Sequence, residues 1–229
     1  MKAADVMVTS VIAVGPDACL QDVAHTLLTN GISAVPVIGI DCKLLGIVSE
    51  GDLMRRAEAG TGRRRPWWLA MLTGREELAA EYVKEHSRKV TDVMTRSVVT
   101  ATPETSLQEI ATLLEKNGIK RVPIVKDGKV VGIVSRANLL QALASTRKQI
   151  GPGAPNDPEI RKSVVAQLNA QPWARPSLIN VIVQDGTVEL WGVVDSQTEK
   201  KAVRVAAEVT PGVRAVNDNL IIRPAESGF

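Results

Sequence analysis

The stretch Gly46-Ile-Val-Ser-Glu-Gly-Asp-Leu53 recurs later in the chain, with three changes, as Gly132-Ile-Val-Ser-Arg-Ala-Asn-Leu139. Two further stretches are repeated in the same order, Asp5-Val-Met7 as Asp92-Val-Met94 and Asn30-Gly-Ile32 as Asn117-Gly-Ile119. The copies lie about 87 positions apart. A diverged tandem repeat of this kind predicts two half-modules packed about a pseudo-twofold axis. Any ligand cleft is then expected between them, in two unequal versions.

The composition limits the class of protein. The 229 residues allow more than one domain, and the 45% of apolar residues is enough for real cores, although only 3% are aromatic. The net charge of +3 gives no overall argument for nucleic-acid binding. Cys19 and Cys42 lack CxxC spacing and a nearby histidine, so we interpret them as small buried hydrophobes or free thiols. No continuous apolar stretch has the length of a signal peptide or a membrane span, which favours a soluble cytoplasmic protein.

Each copy predicts the element order β-α-β-β-α from its hydrophobic periodicity. In the first copy, strands are expected at residues 11–14, 35–38 and 44–48, and helices at residues 18–30 and 49–57. In the second copy, the first helix has one of two capping-box patterns, Thr105-x-x-Gln108 or Ser106-x-x-Glu109. The following hairpin contains Asp127-Gly128, a pair that favours a tight turn.

The insert between the copies, residues 58–90, has a different character. It contains the basic and Trp-rich segment Arg63–Trp68 and a charged helix candidate at residues 75–90. Basic residues beside tryptophan suit acidic lipid or nucleic acid. A surface loop whose tryptophans pack on a neighbouring helix or a dimer mate is the alternative that we favour.

The pattern changes again after a Gly- and Pro-rich linker at residues 149–156. Asp157-Pro158 predicts a helix start with Asp157 as its cap. Asp185-Gly186 predicts a hairpin turn, and Ser196-x-x-Glu199 predicts a capping box on a second helix. The resulting order α-β-β-α-β predicts a separate small α+β domain.

These motifs resemble two known families. Residues 4–57 and 91–146 resemble a tandem pair of CBS domains (cystathionine-β-synthase type) through D-V-M, N-G-I-x-x-V-P and G-I-V-S-x-x-[D/N]-L. Residues 156–223 resemble a BON domain through Ile179–Gly192 and Gly212–Asn217. The resemblance implies an α+β protein with two β-α-β-β-α repeats and an α-β-β-α-β domain. The expected boundaries are CBS repeat 1 at 1–57, insert at 58–90, CBS repeat 2 at 91–148, linker at 149–156 and BON domain at 157–224.

The CBS resemblance implies a regulatory, signal-transducing homodimer that binds an adenine nucleotide between its repeats. The ligand would be AMP, ADP, ATP, NAD or S-adenosylmethionine, with AMP or ATP favoured. The BON resemblance implies contact with phospholipid or a partner protein, and hence a cytoplasmic protein that can be peripheral at a membrane. Since the chain has no candidate nucleophile with a base beside it, we expect no enzymatic activity, catalytic cofactor or metal.

The first candidate site is the pair Ser49 and Asp52, three positions apart where a predicted strand enters a helix. A helix N-terminus offers N–H groups to a phosphate, and the Asp52 carboxylate can accept two ribose hydroxyls. An ordinary helix cap is the alternative, because Ser is a preferred cap residue. With the family resemblance we favour ribose binding.

The second copy has Ser135 and Asn138 at these positions. Asn accepts hydrogen bonds through one oxygen only, so a weaker hold on the ribose is expected. The two clefts are therefore not expected to be equally occupied.

Phosphate contacts are implied for Lys120 and Arg121, because Arg binds phosphate strongly and in a bidentate manner. A solvated surface pair is the alternative. The first copy has Ser33 and Ala34 instead, so the charge comes from one repeat. The adenine contacts implied by the resemblance are Val99, Thr100 and Ala101 for the pocket of Asp52, and Ile12, Ala13, Ser33, Ala34 and Val35 for the pocket of Asn138.

Three other functions are alternatives to nucleotide sensing. A scaffold with empty clefts would dimerise through the repeats and bind lipid or protein through the BON domain. There, Lys200, Lys201 and Arg204 would meet anionic headgroups, whereas a solvated helix face is the favoured interpretation. A nucleic-acid binder would use Arg63–Trp68, and an enzyme would need a motif that the sequence lacks.

Overall fold

The computed structural model describes residues 1–54, 88–145 and 157–223. The Arg63–Trp68 segment, residues 75–87 of the predicted charged helix and the linker at 149–156 lie outside these ranges. In chain order the elements are α1 (Ala3–Val6), α2 (Leu20–Asn30), β1 (Ala34–Ile38), β2 (Leu44–Ser49), α3 (Glu50–Met54), α4 (Val90–Val93), α5 (Leu107–Lys116), β3 (Arg121–Lys126), β4 (Lys129–Ser135), α6 (Arg136–Ser145), α7 (Asp157–Asn169), a 3-10 turn (Pro176–Leu178), β5 (Ile179–Gln184), β6 (Thr187–Val194), α8 (Gln197–Glu208) and β7 (Ala215–Ile222).

The chain divides into two compact units. The smaller unit comprises Ile12–Val98 and Gly128–Val130, and the larger unit comprises Met1–Val11, Val99–Asp127 and Val131–Phe229. The larger unit therefore contains most of the second repeat together with the C-terminal domain.

The smaller unit is built on a hairpin of β1 and β2 covered by α2. The strands are antiparallel, with Ala34 opposite Ser49, and the register shifts near the longer turn. Helix α2 ends at Gly31, whose φ of 61° is the left-handed conformation expected of a glycine C-cap. The core of this unit consists of apolar side chains from both layers and from the α4 segment: Leu20, Val23, Leu27, Val35, Val37, Val48, Val90, Val93 and Met94.

The larger unit has two cores. In the second repeat, α5 packs on β3 and β4, and the core is formed by Ala3, Val6, Ala101, Ile110, Leu114, Val122, Ile124, Val134, Ala142 and Ile182. In the C-terminal domain, α7 and α8 cover a three-stranded sheet in which β6 pairs antiparallel with β5 and parallel with β7. This gives the predicted α-β-β-α-β order.

Most of the predicted elements are present, but the first strand of each copy is not. The strand expected at residues 11–14 is reduced to one parallel bridge, between Val14 and Val37. The second copy has the same single bridge, between Ala101 and Ile124. The predicted tight turns are confirmed, since Asp127 and Gly128, like Asp185 and Gly186, all have positive φ.

Helix starts follow the sequence less closely. Of the two possible capping boxes on α5, the structure has Ser106 with Glu109. The carboxylate of Asp157 instead accepts the backbone N–H groups of Asp185 at 2.7 Å and Gly186 at 2.9 Å. Asp157 thus fastens the start of α7 to the β5–β6 turn.

The D-V-M opening of the first copy packs in the larger unit, against the second repeat. Val8 pairs with Ile133 there, and a Cβ on Gly132 would lie 2.5 Å from the sulfur of Met7. In the smaller unit, the second opening does the same to the first repeat, and a Cβ on Gly46 would lie 2.6 Å from the sulfur of Met94. The glycine of G-I-V-S is therefore required by the methionine of D-V-M.

The C-terminal domain is joined to the second repeat through one face of its sheet. Val181 of β5 faces the domain's own core, whereas the next residue, Ile182, is fully buried in the core of the second repeat. Trp191 packs against that same cluster, and its indole N–H donates to Ser145 Oγ at 3.1 Å. Trp191 is therefore a packing residue of this junction.

Candidate functional site

The first Ser-x-x-Asp loop joins β2 to α3. Both the backbone N–H and the hydroxyl of Ser49 donate to Asp52 Oδ2, at 2.9 and 2.7 Å. Both side chains are half-buried. Two donors on one carboxylate oxygen fix the rotamer of Asp52, so the orientation of the whole carboxylate is set before any ligand arrives.

The second loop joins β4 to α6 and has the same geometry. The N–H and the hydroxyl of Ser135 donate to Asn138 Oδ1, at 2.8 and 2.7 Å. Its surroundings differ, because Asn138 is only 6% exposed and its amide Nδ2 donates to Gln141 Oε1 at 3.2 Å. The end group here is thus buried, uncharged and hydrogen-bonded at both its oxygen and its nitrogen.

Lys120 and Arg121 lie where the chain enters β3, close to the second loop. The backbone carbonyl of Lys120 accepts the N–H of Arg136, the residue after Ser135, at 3.1 Å. Lys120 is exposed and Arg121 is half-buried. Within the larger unit, the structure therefore brings the basic pair and the second loop together.

The residues predicted to contact adenine form two groups, one in each unit. In the smaller unit, Ala34 lies opposite Ser49, and the carbonyl of Ser33 accepts the N–H of Glu50 at 3.0 Å. Ala34 and Val35 are both buried, at 7% and 0% exposure, and Val35 belongs to the core of this unit. Ile12 and Ala13 belong to this unit and are half-buried.

In the larger unit, residues 99–101 are equivalent to residues 12–14 of the first repeat. Ala101 is bonded to β3 on both sides, through its N–H to Pro123 and its carbonyl to the N–H of Val125. Val99 is half-buried and Thr100 is exposed. Each group thus lies in the same unit as one of the two loops, and the implied pairing of each loop with the group of the other repeat stays a prediction.

Sequence reasoning missed the residues that tie the second loop to the C-terminal domain. Gln141 Oε1 accepts Asn180 Nδ2 at 2.8 Å in addition to Asn138. Asn180 is a polar residue within the otherwise apolar run of β5, which is the one signal that could have identified it. Gln141 lies one helical turn after Asn138 and carries no such signal.

A half-buried cation also lies at this junction. Arg161 of α7 donates to the carbonyl of Val181 at 2.8 Å and to that of Met7 at 2.5 Å. Burial lowers the pKa of the Arg161 guanidinium to about 10, and the negative charge of Asp5 opposes the lowering. At neutral pH Arg161 therefore remains charged and holds α7 against the N-terminal segment.

Neither cysteine is buried, contrary to one of the two interpretations offered above. Cys19 is half-buried and its sulfur accepts the N–H of Asp22 as the cap of α2, while Cys42 is exposed in a turn. Among the described residues, no group of three or more His, Cys, Asp and Glu side chains could hold a metal ion. Across those same ranges, every helix is too short or too polar to cross a membrane.

Comparison with known proteins identifies the modules. The CBS-domain family matches residues 3–59 and 90–145, and the BON-domain family matches residues 156–224. The chain therefore belongs to the CBS-domain proteins, with a tandem CBS pair followed by a C-terminal BON domain.

Three relatives show the extent of the likeness. The uncharacterized protein MJ1426 of Methanocaldococcus jannaschii is 37% identical over 143 residues, which are 58% of this chain and 85% of that protein. The chain spans smaller parts of other relatives, such as 60% of the chloroplastic CBS domain-containing protein CBSX1 of Arabidopsis thaliana, at 29% identity. The crystal structure of CBSX2 in complex with AMP matches with a TM-score of 0.55 and 28% identity, over 62% of this chain and 96% of that one.

Proposed function

We propose that this protein is a nucleotide-responsive regulator whose CBS pair binds an adenine nucleotide, and that it is not an enzyme. The observation that carries the proposal is the carboxylate of Asp52, held at the β2–α3 junction by two donors from Ser49. A carboxylate fixed in advance binds hydroxyl groups at a lower cost in side-chain entropy. The AMP complex of CBSX2 supports a nucleoside monophosphate as the ligand.

The chemistry of the two ends of such a ligand suits the chain. Asp52 would accept the ribose hydroxyls, and the exposed Lys120 and half-buried Arg121 would meet the phosphate. Val99, Thr100 and Ala101, the contacts implied by the family for the pocket of Asp52, would line the adenine. AMP or ATP is the favoured ligand. The basic pair has the charge to bind phosphate, which S-adenosylmethionine lacks.

Binding would act by population shift, since a ligand that contacts both repeats favours one arrangement of them. The output would pass through the BON domain to a phospholipid surface or a partner protein. A homodimer formed through the CBS pair, in the cytoplasm or peripheral at its membrane, completes the proposal.

The test is calorimetric titration of AMP, ADP, ATP, NAD and S-adenosylmethionine into wild-type protein and the Asp52→Ala variant. Losing charge-assisted hydrogen bonds of about 1.5–3 kcal/mol should weaken the preferred nucleotide by about 10- to 100-fold. Asp41→Ala is the matched control, because Asp41 is an exposed carboxylate of the same unit, paired with Lys43 at 2.8 Å. Equal affinities of wild type and Asp52→Ala would remove Asp52 from the site, and no binding of any nucleotide would reject the proposal.

The second candidate function is a lipid-binding scaffold, favoured by one surface. On and just after α8, Val205 and Val209 are 52% and 62% exposed, beside the exposed Lys201. Lys200 does not belong to this surface, since its ammonium is bonded to the carbonyl of Leu220 and lies 3.5 Å from Asp218. An apolar strip flanked by a cation suits an anionic interface.

Liposome sedimentation tests this candidate. Lys201→Glu should weaken binding to vesicles containing phosphatidylserine by roughly 10- to 30-fold if α8 meets the membrane. Lys162→Glu, a charge reversal on the exposed face of α7, is the control. Equal sedimentation of wild type and Lys201→Glu would reject the lipid function of α8.

A further inference from the structure

A chain of hydrogen bonds runs from the second loop into the BON domain. Ser135 donates to Asn138, Asn138 donates to Gln141, and Asn180 of β5 donates to the same oxygen of Gln141. This series of hydrogen bonds lies wholly within the larger unit and runs from α6 to the sheet of the BON domain. The position that would hold a ribose in the second repeat is therefore connected to the docked domain through Gln141.

The amide of Asn138 is occupied by this chain. Its oxygen already accepts two bonds from Ser135, and its nitrogen donates to Gln141. An amide oxygen has two lone pairs, so a ribose hydroxyl cannot donate to it without displacing Ser135. A hydroxyl that accepts from the nitrogen competes with Gln141 instead.

One polar atom of this hydrogen-bonded series lacks a partner. Asn180 is 4% exposed, and its Oδ1 has no hydrogen-bond partner among the described residues. A buried carbonyl without a partner favours any rearrangement that exposes or satisfies it. The BON domain is held by further contacts of Ile182, Trp191 and Arg161, so the polar chain can change while the domain stays attached.

We propose that the Ser135–Asn138 loop is a joint that couples ligand occupancy of the second repeat to docking of the BON domain, with Gln141 and Asn180 as the positioning residues. This rests on the proposed nucleotide binding. Docking holds the Asn138 amide away from a ligand, and a ligand at this loop loosens the polar contact with β5. The first repeat binds the nucleotide without this restraint, and the second repeat binds it only when the polar contact with the BON domain is released.

The experiment uses the full chain in the Asp52→Ala background, where the first loop is silenced and AMP binding reports on the second. Gln141→Leu should tighten this residual AMP affinity at least 5-fold, because it removes the acceptor of the Asn138 amide. Asn180→Leu should tighten it less, because Asn138 can still donate to Gln141 after the bond from β5 is lost. Gln167→Leu is the matched control, since Gln167 accepts from Thr210 at 3.0 Å inside the BON domain. Unchanged or weakened affinity in both test variants would overturn the coupling.

A second measurement needs no ligand. In ¹H–¹⁵N spectra, the Trp191 indole N–H reports on docking and the Ser135 amide reports on the loop; Trp191→Phe assigns the indole signal. Gln141→Leu should shift both signals and Gln167→Leu neither, and a shift of only one signal in Gln141→Leu would overturn the joint. If neither wild type nor any variant binds AMP, the proposed function fails. These spectra would still decide whether the loop and the BON domain are linked.

Discussion

The two Ser-x-x-[Asp/Asn] loops have the same backbone arrangement and different surroundings. In both, a serine donates its N–H and its hydroxyl to one oxygen, with the hydroxyl at 2.7 Å. The first loop ends in a half-buried carboxylate, whereas the second ends in an amide that is 6% exposed and bonded to Gln141. Duplication has kept the turn and changed what the turn presents.

The difference extends to the neighbouring elements. The second repeat supplies Lys120 and Arg121 where the first has Ser33 and Ala34, and the second is packed against the BON sheet through Ile182. A single repeat thus carries both the cationic pair and the docked domain. The two repeats are therefore unequal in charge and in packing, which agrees with the proposed roles of the two loops.

The test with the largest expected effect uses Gly46 and Gly132, each of which faces the D-V-M methionine of the other repeat. Gly46→Ala should cost about 3 kcal/mol, because its Cβ would lie 2.6 Å from Met94 Sδ and 2.9 Å from the carbonyl oxygen of Thr95. Gly132→Ala should cost about 1 kcal/mol, since its nearest neighbours are atoms of the flexible Met7 side chain. Urea unfolding followed by circular dichroism measures both.

One further glycine, Gly15, serves as the control for these variants. Gly15→Ala meets no atom within 4 Å and has no positive φ, so its unfolding midpoint should match that of wild type. Adding Met94→Ala to Gly46→Ala should restore less of the lost stability than adding Met7→Ala to Gly132→Ala. The reason is that only Gly46 also faces a backbone atom, the carbonyl oxygen of Thr95. Equal costs for the two glycines would show that the exchanged openings pack with equal rigidity.

The second test exchanges the end groups of the loops. Asp52→Asn should weaken AMP binding by about 10-fold, or about 1.4 kcal/mol, because the charge is lost while the bonds from Ser49 remain. Asn138→Asp should lower stability by about 1 kcal/mol, since it places a carboxylate in a nearly buried position. Calorimetry and urea unfolding of each variant separate the two effects. Similar behaviour of the two variants in both assays would contradict the division of roles.

Much of the fold could be predicted from the sequence, because local signals decided it. The repeat, the tight turns at Asp127 and Asp185 and the glycine cap at Gly31 each depend on a few adjacent residues. The pair Ser49 and Asp52 was found in the same way, since spacing along one turn fixes their contact.

The remaining features depend on partners that are distant in sequence. The packing of Met7 on Gly132 joins residues more than a hundred positions apart, and no periodicity identifies such a partner. The same holds for Asn180 and Gln141, whose contact exists only because β5 docks on the second repeat. Asp157 looked like a helix cap, but its two carboxylate oxygens bind the β5–β6 turn instead.

The smallest test compares the caps of the equivalent helices α2 and α5. Helix α5 begins with Ser106, whose hydroxyl accepts the N–H of Glu109 at 3.2 Å while the Glu109 carboxylate accepts the N–H of Ser106. Helix α2 has Cys19 at this position, and its sulfur accepts the N–H of Asp22 at 3.4 Å. A thiol is a weaker acceptor than a hydroxyl, so the first repeat has the weaker cap.

Exchanging the two caps should therefore have opposite effects. Cys19→Ser should raise stability by about 0.5 kcal/mol, and Ser106→Cys should lower it by about as much, measured as urea midpoints at a constant slope. Cys42→Ser is the control, because Cys42 is exposed in a turn and caps no helix. If Cys19→Ser were destabilising, the bond from the Cys19 thiol to the Asp22 carboxylate, at 2.9 Å, would outweigh the cap and the two repeats would differ in how α2 and α5 are held.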